Sequence, residues 1–328
     1  MTELRDAVRR ATMTLAEAGV ESAPVDALHL AAHLLGQDVS ETRRLMVVGG
    51  VEAPEGYADL VAERANRVPL QHLTGRASFR ELELEVGPGV FVPRPETELL
   101  VDLALRALAG RESPVVVDLA TGSGAIALAI KHECPTAWVY AVELTDLAHA
   151  WAVRNRDRLG LEVIVDLGDA RDAYPALVGS VDVVACNPPY IPDDQVPVDP
   201  EVRDHDPAEA LYGGSADGLA RPLEMAARAA VLLRDGGTLV MEHAETQGAS
   251  LPRALVATGD WGPVVDHVDL LGRPRCVVAQ RHRPPHEVLP TTISASPRSV
   301  ARTPRFAPIL RGDPGTSGIG SEAVSSDE

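Results

Sequence analysis
At 328 residues and 45% hydrophobic, the chain is long enough for two domains and apolar enough to bury a sizeable core. Its formal net charge of −18 and its single lysine, Lys131, argue against a nucleic-acid-binding body, which carries a basic footprint, and favour a basic partner. Three widely spaced cysteines, Cys134, Cys186 and Cys276, argue against a disulfide framework or a zinc cluster; with no apolar leader and no run near the ~20 residues of a membrane span, the expectation is a cytoplasmic protein with no membrane contact.

Residues 1–75 carry helical periodicity. Leu4, Val8, Met13 and Leu15 fall near one face, and Leu28, Leu30, Leu34 and Leu35 follow in a second helix stopped by Gly36. The shorter stretches SETRRLMV and EGYADLVAERANR complete a small helical bundle. In residues 76–92, Leu82, Leu84 and Val86 alternate with Glu81, Glu83 and Glu85, and GPG leads into a second short strand, so a hairpin linker is expected. Residues 93–282 alternate helices with the strands VVVDLA, AWVYAVE, LEVIVD, VDVVAC and GTLVMEH, the pattern of a parallel sheet covered on both faces. DHVDLLGRPRCVVAQR adds two more strands, and residues 283–328, rich in Pro, Ser, Gly and Arg, read as a disordered tail.

Chemistry concentrates at the strand ends. VVVDLATGSGAIALAI is a strand, a small-residue loop and a helix, where Gly122 and Gly124 let the backbone approach a ligand and the helix offers unpaired N–H groups. The loop has D-x-A-x-G-x-G rather than G-x-G-x-x-G, and no Walker lysine. Asp118 would repel a diphosphate but suits a cofactor that carries a cation. Glu143 ends the next strand, where a carboxylate can accept both hydroxyls of a ribose. Asp169, after the third, either accepts an adenine amino group or is a plain loop aspartate. Cys186 reads as core, and ten histidines without ligand spacing suggest no metal. In CNPPYIP, strand punctuation accounts for Pro188 and Pro189 but not for the flanking Asn187 and Tyr190.

Together, Asp118–Gly124, Glu143, Gly168–Asp169 and Asn187–Tyr190 resemble class I S-adenosylmethionine-dependent methyltransferases. N-P-P-Y narrows the resemblance to enzymes that methylate a planar amino or amide nitrogen, either DNA N6-adenine and N4-cytosine methyltransferases or protein glutamine-N5 methyltransferases. RVPLQHLTGRASFRELELEVGPGVFVPRPETELLV, ALYGGSADGL and GRPRCVVAQR resemble the second group, the release factor glutamine methyltransferases (HemK or PrmC type), over roughly residues 1–282. The implied fold is α/β and Rossmann-like: a mostly parallel seven-stranded sheet with an antiparallel final strand, preceded by a helical bundle that grips the release factor. The implied reaction moves the methyl of S-adenosyl-L-methionine to the glutamine of the Gly-Gly-Gln loop of class I peptide-chain release factors, leaving S-adenosyl-L-homocysteine.

The resemblance assigns cofactor contacts to Asp118, Ala120, Thr121, Gly122, Ser123, Gly124, Glu143, Asp169, Ala170 and Asn187. It assigns substrate contacts to Asn187, Pro188, Pro189 and Tyr190, with Asn187, Pro188 and Tyr190 catalytic. The Asn187 side-chain oxygen and the Pro188 carbonyl would each accept an amide N–H, and Tyr190 would lie against the flat amide. Two departures stand out. Ala120 replaces a usual glycine, which demands negative φ or strain, and Ala170 replaces an aromatic that often lies beside the adenine. Methylation of a DNA amine, or cofactor binding without turnover, remain the alternatives.

Overall fold
The computed structural model describes residues 2–282, and the expected tail lies outside the described residues. Five helices open the chain: α1 (Leu4–Glu17), α2 (Ala23–Leu35), α3 (Val39–Val48), α4 (Tyr57–Ala65) and α5 (Leu70–Thr74). Leu4, Val8, Ala11 and Leu15 form the buried stripe of α1 and pack on Ala27, Leu30, Tyr57 and Val61. Met13 is instead 59% exposed. Positions 4, 8, 11 and 15 follow the three- and four-residue helical steps, and position 13 falls off that stripe.

β1 (Arg76–Phe79) and β2 (Leu82–Glu85) pair antiparallel, but the hairpin turns at Arg80–Glu81 and not at GPG. Arg80 takes a left-handed φ of +52°, and its guanidinium is held by Glu133 and, at 2.8 Å, by Asp102. Those partners lie far along the chain and left no local turn signal. The GPG segment is irregular, and Val86 and Val90 bury beside it against Ala148 and Trp151.

The remainder is α6 (Glu98–Leu108), β3 (Val115–Leu119), α7 (Ala125–Glu133), β4 (Trp138–Glu143), α8 (Asp146–Leu159), β5 (Val163–Leu167), β6 (Val181–Cys186), α9 (Pro200–His205), α10 (Ala220–Leu232), β7 (Leu233–Glu242), α11 (Ser250–Thr258), β8 (Trp261–Val268) and β9 (Pro274–Arg281). The strand order is β5-β4-β3-β6-β7-β9-β8. All pairings from β5 to β7 are parallel, and β9 runs antiparallel to both neighbours, so the seven-stranded α/β sheet with an antiparallel final strand is what forms. Alternate strand residues feed two cores. Val116, Val183 and Val240 pack toward α6 and α7, while Val117, Val184 and Leu239 pack toward α10 and α11. Chain order reverses between β3 and β6, which opens a crevice beyond their C-terminal ends.

Helix α9, only six residues long and without a periodic apolar face, is held from outside. Glu201 accepts from Arg64 (2.7 Å) and from Arg67 (2.7 and 2.5 Å), and Arg64 also donates to Asp26 at 2.7 Å. Burial works to raise the Glu201 carboxyl, but hydrogen bonds from Arg67, Asp199 and Arg64 outweigh it and hold the carboxyl far below its ordinary range. At the far end of α9, Arg94 donates to the buried Asp206 at 2.8 Å. The first helices and the segment after β6 are thereby joined through charge.

Candidate active site
The loop after β3 is built around Asp118. Its Oδ2 accepts from the Thr121 hydroxyl (2.6 Å) and the Ala127 amide (3.2 Å), which fastens the loop to the first turn of α7. Asp118 lies fully buried behind the loop rather than on the cavity wall, and its Oδ1 has no hydrogen-bond partner. Burial, countered by those two donors, raises its carboxyl to about 7. The folded protein therefore holds this proton more tightly than the unfolded chain, and the Asp118 contribution to stability falls as pH rises from about 4 to about 7. Asp118→Asn should flatten that part of the Tm-against-pH profile, measured by thermal unfolding at fixed ionic strength.

Ala120 has φ +64°. The residue expected to need negative φ or strain adopts the strained alternative. An L-residue there costs roughly 1–2 kcal/mol, partly offset by the greater unfolded-state freedom of glycine. Ala120→Gly should stabilise the protein by about 1 kcal/mol, read as a higher denaturant midpoint at unchanged slope.

Glu143, ending β4, accepts from the Gly122 amide (2.9 Å) with one oxygen and from the Thr145 amide (3.0 Å) and hydroxyl (3.2 Å) with the other. Asn155 of α8 donates to the carbonyls of Ser123 (3.0 Å) and Glu85 (2.9 Å), tying the same loop to the hairpin. Asp169 is engaged by Arg171 at 2.5 Å, which holds its carboxyl below the ordinary range. An incoming amino group must share that carboxylate.

A cavity of 1430 Å³ spans the C-terminal ends of the parallel strands. Ala120, Thr121, Gly122, Ser123, Glu143, Asp169 and Ala170 line one side, and Asn187, Pro189 and Tyr190 another. Gly124 and Pro188, assigned from sequence, are not on its wall; Pro188 is buried. Cys186 is core, its thiol pushed well up by burial, with Sγ 3.4 Å from Met225 Sδ.

The N-P-P-Y loop is braced by the ALYGGSADGL segment. Ile191 N–H donates to the Leu211 carbonyl, Gly213 N–H donates to the Ile191 carbonyl, each at 2.8 Å, and Gln247 Nε2 donates to the Tyr190 carbonyl at 2.9 Å. A Cβ on Gly218, whose φ is +70°, would lie 2.1 Å from the Tyr190 carbonyl oxygen, so only glycine lets the two segments touch. The ALYGGSADGL segment is thus a buttress for the N-P-P-Y loop.

Thr97 lies in Pro93–Glu98, a stretch that reads from sequence either as lining of the cofactor pocket or as a helix entry, and it lines the cavity; Glu242 was missed from sequence. Thr97 accepts from Asn187 Nδ2 at 3.3 Å, and Glu242, ending β7, accepts from the Tyr190 hydroxyl at 3.3 Å. Glu242 reads from sequence as a strand end, and the bonding of both residues to the N-P-P-Y loop shows only where three distant segments converge.

A PrmC N-terminal domain model matches residues 6–75, and a methyltransferase small domain model matches residues 81–200. The release factor glutamine methyltransferase of Streptomyces coelicolor is 48% identical over 282 residues, spanning 84% of this chain and 98% of that protein. That of Mycolicibacterium smegmatis is 48% identical over 283 residues (86% and 99%), and that of Corynebacterium glutamicum 43% over 289 residues (86% and 100%).

Proposed function
The chain belongs to the release factor glutamine methyltransferase family, and from that premise we propose that it methylates the side-chain nitrogen of the glutamine in the Gly-Gly-Gln loop of class I peptide-chain release factors, with S-adenosyl-L-methionine as donor. The observation that carries this is the shared cavity. The Ala120–Ser123 loop and the Asn187–Tyr190 loop face it from either side of the point where strand order reverses.

The residues present fit this donor. Asp118 lies beneath the loop with its Oδ1 unpartnered among the described residues, where a cationic donor would favour its ionised form. Glu143, already oriented by Gly122 and Thr145, keeps lone pairs for ribose hydroxyls. Bound there, the donor supplies an electrophilic methyl on a sulfonium. Asp169 and Ala170 would flank the adenine.

A glutamine amide is a poor nucleophile because its nitrogen lone pair is delocalised, so this chain's task is orientation. The Asn187 oxygen accepts one N–H, and the Pro188 carbonyl, off the cavity wall in this structure, would accept the other as the amide seats against the loop, aligning the nitrogen and favouring the positive charge that develops on it. Tyr190 covers the amide and excludes water. Once alkylated, the nitrogen is acidic and its proton leaves without a dedicated base. Residues 1–75 grip the release factor, the 76–92 segment links, and residues 93–282 carry the chemistry.

The test is transfer of labelled methyl to a purified class I release factor beside its Gly-Gly-Ala variant. Label in the wild-type factor alone is expected. Equal label in both would move the acceptor elsewhere, and label in neither with donor still bound would mean binding without turnover.

A further inference from the structure
Thr97, 4% exposed, stands between the ends of β6 and β7. Asn187 Nδ2 donates to its Oγ1 at 3.3 Å. An amide nitrogen has no lone pair to accept with, so the threonine oxygen is the acceptor there and its own proton must go elsewhere. Glu242, 2% exposed, lies beside that hydroxyl, and its buried Oε2 has no hydrogen-bond partner among the described residues, which leaves it open to the Thr97 O–H. Burial raises the Glu242 carboxyl to about 7, while Thr97, Arg275 and Tyr190 each favour its ionised form and Glu96 opposes it.

We propose that Glu242 and Thr97 are positioning residues that set which way the Asn187 amide points: Glu242 accepts the hydrogen bond of the Thr97 O–H, the Thr97 oxygen is thereby left to accept from the Asn187 NH₂ group, and the Asn187 oxygen is turned to the substrate. This rests on the function proposed above, in which that oxygen accepts an amide N–H. An Asn187 amide rotated by half a turn would present donors to donors, and the substrate amide would lose one of its two anchors. Tyr190, donating to the same carboxylate, places both ends of the N-P-P-Y loop on Glu242.

The test compares Thr97→Val, Thr97→Ser and Glu242→Leu with the wild-type enzyme on the intact release factor. Thr97→Val should lower kcat roughly 10–100-fold, the loss of one orienting hydrogen bond, with KM for the donor little changed. Thr97→Ser should stay within about threefold of wild type, because the hydroxyl is kept. Glu242→Leu should fall at least as far as Thr97→Val, and in an Asn187→Ala background Thr97→Val should add nothing.

A second readout does not depend on turnover. The chain has three asparagines, Asn66, Asn155 and Asn187, so isotope labelling gives an assignable Asn187 side-chain amide signal. That signal should shift and lose exchange protection in Thr97→Val but not in Thr97→Ser. Thr97→Val with normal kcat and an unmoved signal overturns the proposal, as does Thr97→Ser impaired as deeply as Thr97→Val, or Glu242→Leu with normal kcat. If the wild-type enzyme leaves the release factor unlabelled while the Asn187 signal still answers to Thr97→Val alone, the substrate assignment falls and the positioning stands.

Discussion

Asn187→Ala should lower kcat for methyl transfer by about 10²–10³-fold, the scale for removing one preorganised hydrogen-bonding group aimed at developing charge. Donor affinity, which the proposed function assigns mainly to the loop after β3 and to Glu143, should fall far less. Stability should change little, since the Asn187 side chain is half-buried and, among the described residues, bonds to Thr97 alone. Single-turnover kinetics with donor titration separate these effects. A variant that keeps near-normal turnover would remove the amide clamp from the mechanism.

Glu201→Ala should have the largest effect on stability, about 3 kcal/mol, because removing one partner of a buried ion pair leaves charge uncompensated. The lower end of the usual range applies, as Arg64 keeps Asp26. The ionised Glu201 is favoured by the fold, so its contribution is full above its ordinary range near 4.5 and is lost as pH falls toward its depressed folded value. Glu201→Ala should therefore cost most at neutral pH and progressively less in acid, as urea unfolding at several pH values would show. This trend runs opposite to that of Asp118, whose carboxyl burial raises. An equal loss at all pH values would assign the effect of Glu201 to packing.

These two residues also mark what a linear chain makes legible. Asn187 announced itself because an amide and an aromatic around two prolines exceed what a strand end needs, and the sheet announced itself through unbroken β-branched strands between helices. Both signals are local. Glu201 binds Arg67 across 134 residues and Arg64 across 137, and nothing near any of them in sequence hints at the pairing. Arg80 turns the hairpin because Glu98, Asp102 and Glu133 fold back onto it. Thr97 and Glu242 acquire their roles only when a helix entry and two strand ends converge. The left-handed backbone at Ala120 lies between these cases: the departure from glycine was visible, and the fold decided that strain was retained.

The most direct test of the central claim is to locate the methyl group itself. A class I release factor and duplex DNA incubated in one tube with the enzyme and S-adenosyl-L-methionine can both be digested and fragmented in a mass spectrometer. The expected product is a single methyl on the side-chain nitrogen of the Gly-Gly-Gln glutamine, with unmodified DNA. A methyl on a DNA amine, or on any release-factor residue other than that glutamine, would contradict the account.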